Sequence, residues 1–177
     1  MPRICIFCGS STGRDSQFGE AAAAAAGALV AAGFGIVYGG GRVGLMGIVA
    51  DASLAAGGEV IGVIPESLAA AEVAHKGLSR LHVVQTMHER KALMAELSDA
   101  FLALPGGFGT MDEFHEALTW RQLGIHDKPV GLLNIDGYYD ELLELYSRMT
   151  EDGFLTKKAR SLFAAAPSIE ELLPQLR

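Results

Sequence analysis

Short apolar runs alternate with helical runs along this chain, and no other feature limits its folding so much. Arg3–Cys8, Gly35–Tyr38, Val60–Ile64, Leu81–Thr86, Ala100–Leu104 and Val130–Asn134 read as strands. Between and after them, Ser16–Ala32, Leu45–Ala56, His88–Leu97, Met111–Leu123, Tyr138–Glu151 and Ser168–Leu172 read as helices. A strand that is apolar throughout, rather than at every second residue, is covered on both faces. Such strands, each followed by a helix, require a parallel sheet with right-handed crossovers. The expected fold is α/β: a single Rossmann-like, doubly wound parallel sheet with helices on both faces. Neither linker nor repeat interrupts the pattern, so residues 1–177 are expected to form one domain. Residues 66–79 are the least regular stretch and predict a loop over the site.

Half of the 177 residues are hydrophobic, enough for a full core. The net charge of −7 argues against a nucleic-acid partner. No apolar run reaches membrane-spanning length, and the alanine tract Ala21–Ala26 lacks bulky apolar residues, so no membrane association is expected. Met-Pro-Arg-Ile-Cys enters a strand directly, leaving no room for a signal peptide, and the cytoplasm is the expected location. Cys5 and Cys8 form a C-x-x-C pair. On a strand, residues three apart are about 10 Å apart and face opposite ways. A disulfide needs Cα atoms within about 7 Å. The pair therefore reads as two small apolar residues, and the five histidines show no ligand spacing. No metal is expected.

Glycine-rich turns follow three of the strands. Gly9-Ser10-Ser11-Thr12-Gly13 follows the first, Gly39–Gly44 the second, and Pro105-Gly106-Gly107-Phe108-Gly109-Thr110 the fifth. In a doubly wound sheet, ligands bind beyond the carboxyl ends of the strands, so three such turns would line one crevice. The third turn leads into a helix, whose free N–H groups and positive dipole end make an anion site. Phosphate is the usual anion there. Gly39–Gly44 fits G-x-G-x-x-G, but a dinucleotide fingerprint belongs after the first strand, with an acid at the end of the next. Glu59 lies at the start of the next strand, on the wrong edge, and no Gly-Lys-Ser/Thr of an ATP-binding loop occurs.

Two charged residues stand out. Glu113 follows the third turn, either as the far half of a Thr110-x-x-Glu113 capping box or as an acid beside a bound phosphate. Arg90, in Met87-His88-Glu89-Arg90-Lys91, lies on the same helix side as Leu93 and Met94. It also sits in the first turn, where the dipole disfavours a cation. Unless it snorkels to the surface, it needs an anionic partner. Lys91 reads as solvated or as a secondary anion contact. Trp120, Tyr138, Tyr139 and Tyr146 read as packing or interface residues, and Asp112 and Glu116 as a solvated acidic turn.

Pro105-Gly106-Gly107-Phe108-Gly109-Thr110-Met111-Asp112-Glu113 fits the signature P-G-G-x-G-T-x-x-E. Together with Met87–Lys91, Cys8–Ser11 and Tyr38–Gly41, it makes the chain resemble the LOG (Lonely Guy) family. These are cytokinin riboside 5′-monophosphate phosphoribohydrolases, long mislabelled as lysine decarboxylases. The resemblance runs from Cys5 to about Tyr146. It implies that Arg90 and Glu113 are catalytic and that Gly106, Gly107, Phe108, Gly109 and Thr110 grip the substrate phosphate. Lys91, Thr119 and Glu72 match the family's substrate-binding positions. Ser10, Gly40 and Gly41 complete the expected site from the other two turns. The family's dimeric state implies a homodimer or a multiple of one, and no cofactor is implied.

The chemistry implied is hydrolysis of the N-glycosidic bond of an adenosine 5′-monophosphate-type nucleotide carrying an N6 substituent. It would release a free base and ribose 5-phosphate. Such a reaction passes through an oxocarbenium-like sugar that a carboxylate stabilises. No bond to phosphorus breaks, so no metal is needed. Two other readings compete. One is a non-catalytic nucleotide or molybdenum-cofactor carrier of the same fold, against which the presence of both Arg90 and Glu113 argues. The other is a pyridoxal-phosphate lysine decarboxylase, which needs a Schiff-base lysine.

Overall fold

The apolar runs become a seven-stranded, wholly parallel sheet in the computed structural model, which describes residues 1–69 and 73–177. The strands are β1 (Arg3–Phe7), β2 (Gly35–Tyr38), β3 (Val60–Pro65), β4 (Arg80–Val84), β5 (Ala100–Ala103), β6 (Val130–Leu133) and β7 (Ala164–Ala166). Their order is β4-β3-β2-β1-β5-β6-β7. Strands β1, β2, β3, β5 and β6 are buried almost throughout, as runs without alternation require. Edge strand β4 is largely exposed. Strand β7 was not expected from the sequence. It is three alanines, poor strand formers, and it adds to β6 through Gly131↔Ala164 and Leu133↔Ala166.

Helices α1 (Ser16–Ala31) and α2 (Gly44–Ala55) cover one face, with the short α3 (Glu66–Ala69) after β3. Helices α4 (Met87–Glu96), α5 (Phe108–Gln122) and α6 (Asp140–Glu151) cover the other. The short α7 (Lys157–Arg160) and α8 (Ile169–Leu172) follow. The alanine tract is the core side of α1, where Ala22, Ala25, Ala26 and Leu29 are buried. Side chains this small let α1 lie close against α2. Helix α4 opens with a cap absent from the sequence reading. Thr86 Oγ1 accepts from Glu89 N–H at 3.1 Å, while Glu89 reaches back to Gln85 N–H at 2.8 Å. The cap fixes where the helix starts, and hence where Arg90 points. No helix among the described residues is long and apolar enough to cross a membrane.

In the irregular stretch, Val73–Ser79 is fastened to the second glycine turn. Arg42 N–H donates to Val73 O and His75 N–H to Gly40 O, each at 3.0 Å. His75 is buried, with Nε2 2.9 Å from Asp51 Oδ1 and Nδ1 accepting from Gly77 N–H at 3.0 Å.

Candidate active site

Strands β1 and β5 are neighbours, yet β2 and β3 continue to one side and β6 and β7 to the other. At such a switch point the connecting loops diverge and leave a crevice beyond the carboxyl ends. Here the loops after β1 and β5 hold each other. Gly9 N–H donates to Pro105 O at 3.0 Å, and Leu45 N–H, at the start of α2, donates to Gly9 O at 3.0 Å. Gly106 makes this approach possible. A Cβ there would collide with the Thr110 hydroxyl and stand 2.9 Å from Gly9 N. Two cavities of about 300 Å³ each open from the crevice and share Gly9, Ser10 and Gly107. Phe18, Leu45, Pro105 and Tyr138 wall the first. Arg90, Glu113, Met46, Leu68 and Met87 wall the second, with the start of α5.

That start is an anion cradle by construction. The N-cap is Gly107, and no side chain among the described residues caps the helix. The first-turn N–H groups and the positive dipole end therefore serve the second cavity. Gly107 and Gly109 line it, and a Cβ at either would meet nothing within 4 Å. Neither takes a positive φ. Packing does not demand glycine at these two positions; the absence of a Cβ leaves the backbone N–H groups open to the cavity. Phe108, between them, is 97% exposed at the cavity mouth.

Glu113 is not half of a capping box. Helix α5 begins at Phe108, three residues before the expected Met111. Thr110 is therefore inside the first turn, buried beneath Gly106, and Glu113 projects from the second turn into the cavity. Opposite it, Arg90 is 4% exposed. Its Nε donates to Val63 O at 3.0 Å, within β3, and its Nη2 to Gly39 O at 2.7 Å, just past β2. Arg90 does not snorkel, and the anion expected beside it is in part these carbonyl dipoles. Gly39 is the glycine that this arrangement requires, since a Cβ there would strike the guanidinium.

Ser10 lies at the junction of the two cavities. Gly40 and Gly41 are buried, joined to residues 74 and 75, and line neither cavity. Thr119 lies three turns along α5, its hydroxyl donating to His115 O at 2.7 Å, and also lines neither. Glu72 lies outside the described residues. Lys91 points away from Arg90, between α4 and α5. Two tyrosines read as packing residues brace the loop after β5. Tyr138 Oη donates to Gly106 O at 2.6 Å and Tyr139 Oη to Leu104 O at 2.7 Å. Burial pushes the Tyr139 hydroxyl up, so it stays a donor. Cys5 and Cys8 are buried free thiols beneath Glu113, both pushed up by burial and then by that carboxylate.

Residues 46–176 match the family model described as "Possible lysine decarboxylase". Over 174 residues, 98% of the chain, the sequence is 51% identical to a probable cytokinin riboside 5′-monophosphate phosphoribohydrolase of Oryza sativa subsp. japonica, of which it covers 78%. The chain belongs to the LOG family. A second LOG relative, the Arabidopsis thaliana protein named cytokinin riboside 5′-monophosphate phosphoribohydrolase, is 49% identical over the same share of the chain, covering 81% of that protein. Among solved structures, the molybdenum cofactor carrier protein of Chlamydomonas reinhardtii superposes with a TM-score of 0.74. The match covers 99% of this chain and 97% of that one at 21% identity, which establishes a common fold and no more.

Proposed function

We propose that this LOG-family chain hydrolyses the N-glycosidic bond of adenosine 5′-monophosphate-type nucleotides with an N6 substituent, releasing the free base and ribose 5-phosphate. One observation carries the reading. The open anion cradle at Gly107–Thr110 and the Glu113 carboxylate lie on one helix and face one cavity. They are one turn apart, about 6 Å, a step the size of one sugar ring. A 5′-phosphate held at the cradle brings C1′ to the carboxylate. Glu113 then stabilises the positive charge growing on the sugar and orients or deprotonates the attacking water. Arg90 is given no proton-transfer role, because a planar guanidinium serves to bind and orient through its fixed fork of donors. Its role is to hold Glu113 ionised and to place the nucleotide. Gripping the remote phosphate fixes the sugar for attack.

The carboxylate and guanidinium distinguish this reading from a carrier role, which the common fold alone leaves open. We place the enzyme in the cytoplasm as a homodimer or a multiple of one. Exposed Leu123 and Ile125, at 69% and 65%, give a second copy an apolar surface at the end of α5. Incubation with nucleoside 5′-monophosphates and the matching nucleosides tests the function. Equimolar base and ribose 5-phosphate should appear from the monophosphate, and hardly any base from the nucleoside. Tight binding without product indicates a carrier, and carbon dioxide from lysine with pyridoxal phosphate indicates a decarboxylase.

A further inference from the structure

Lys91 follows Arg90 directly, yet it does not share its cavity. Successive helical residues point about 100° apart, so Arg90 faces the cavity at the switch point and Lys91 faces α5. Its ammonium lies 3.0 Å from Asp112 Oδ2 and 2.9 Å from Glu116 Oε2, and its side chain is 13% exposed. Burial alone would lower its pKa; the hydrogen bonds to Glu116 and Asp112 outweigh that, and the net shift is upward. The groove that it spans, floored by Phe7 and Phe101, holds about 10 Å³, too little for a ligand. Glu113 also borders this groove. Asp112 and Glu116 thus flank Glu113 on its own helix, one residue before and three after.

We propose that Lys91 is a positioning residue that ties α4 to α5 and offsets part of the charge of the two carboxylates flanking Glu113, keeping Glu113 opposite Arg90 and ionised. The proposal rests on the reading of Glu113 as the residue that acts on the sugar. Among the described residues, Glu113 is faced by Arg90 and Lys91 from α4, by Asp112 and Glu116 on α5, and by the Cys5 thiol of β1 and the Cys8 thiol just beyond it. The thiols are neutral, so Lys91 and Arg90 are the cations that offset the neighbouring acids. Without Lys91, two negative charges beside Glu113 favour its protonated form, and activity that needs the carboxylate disappears at a higher pH.

The test is the pH dependence of kcat for the wild type, Lys91→Met, the triple variant Lys91→Met/Asp112→Asn/Glu116→Gln, and Glu113→Gln. Thermal melts confirm that each is folded. Lys91→Met should move the acid limb up by about one pH unit and lower kcat about tenfold at neutral pH, with KM little changed. The triple variant, which removes the acids along with the cation, should return the acid limb to the wild-type position or slightly below it, because the three groups together carry one net negative charge. A raised KM with an unmoved limb makes Lys91 a substrate-binding residue and overturns the proposal, as does a limb that stays displaced upward in the triple variant. A fully active Glu113→Gln protein overturns the reading of Glu113 itself, and the proposal with it.

Discussion

Gly109→Ala separates a glycine kept for folding from one kept for a ligand. In the structure Gly109 is the second residue of α5, and a Cβ there meets no protein atom within 4 Å. Alanine is the better helix former by up to about 1 kcal/mol in a helix interior, and less in a first turn. The variant should therefore melt at the wild-type temperature or up to about 4 °C above it, since 1 kcal/mol is worth roughly 2–4 °C in a chain of this size. Function should move the other way. The methyl group would stand in the cavity that the proposed function gives to the phosphate, and would keep at least one backbone N–H from it. A hydrogen bond to a charged group contributes about 1.5–3 kcal/mol, so kcat/KM for the 5′-monophosphate should fall about 10- to 100-fold. Inhibition by inorganic phosphate should weaken in parallel. The assay is steady-state release of free base, read by chromatography. A variant within about twofold of the wild type would refute the assignment of this helix start to the phosphate. So would a large loss of stability, because it would place packing contacts where the structure has open space.

Three other outcomes follow from the same geometry. Arg90→Lys keeps the charge but cannot reach Val63 O and Gly39 O together, so activity should fall at least about tenfold, and Arg90→Ala should lose more and also melt several degrees lower; a fully active alanine variant removes Arg90 from the site. Tyr139→Phe strips the Leu104 carbonyl of its hydroxyl donor, at about 1–3 kcal/mol, which predicts a melting temperature about 2–12 °C lower together with a raised KM; an unchanged KM would mean that Tyr139 braces the fold without shaping the loop after β5. Because burial holds the Cys5 and Cys8 thiols above their ordinary range, the thiolate stays scarce as pH rises through 8 and 9, and neither should be alkylated by iodoacetamide until the protein unfolds; rapid labelling of the native protein at pH 8 would contradict this.

The sheet and its active edge were legible in the sequence because continuous apolar runs have one way to be buried, between two layers of helices. The three glycine turns were legible for a related reason, since connections at one sheet edge share a crevice. What escaped depended on contacts between distant parts of the chain. Strand β7 has no signal of its own: three alanines pair with β6 only because that edge is open. The start of α5 was misplaced because its N-cap is a glycine with no side chain, while Thr110-x-x-Glu113 imitated a cap three residues later. Helical periodicity put Arg90 on the inward side of α4 but could not identify the carbonyls it meets, 27 and 51 residues away. Lys91, its neighbour in sequence, shares none of its surroundings. The tyrosines that brace the loop after β5 come from 32 and 35 residues further on, and nothing local distinguishes them from packing residues.

The central claim is that the Glu113 carboxylate acts on the sugar while the start of the same helix holds the phosphate. The most direct measurement is kcat for release of the free base by Glu113→Gln, together with inhibition by inorganic phosphate. Glutamine keeps the shape and removes the charge. The account predicts a kcat lower by at least about 100-fold, with phosphate inhibition and melting temperature close to those of the wild type. A kcat within about threefold of the wild type would contradict it and leave Glu113 as one more polar residue on α5.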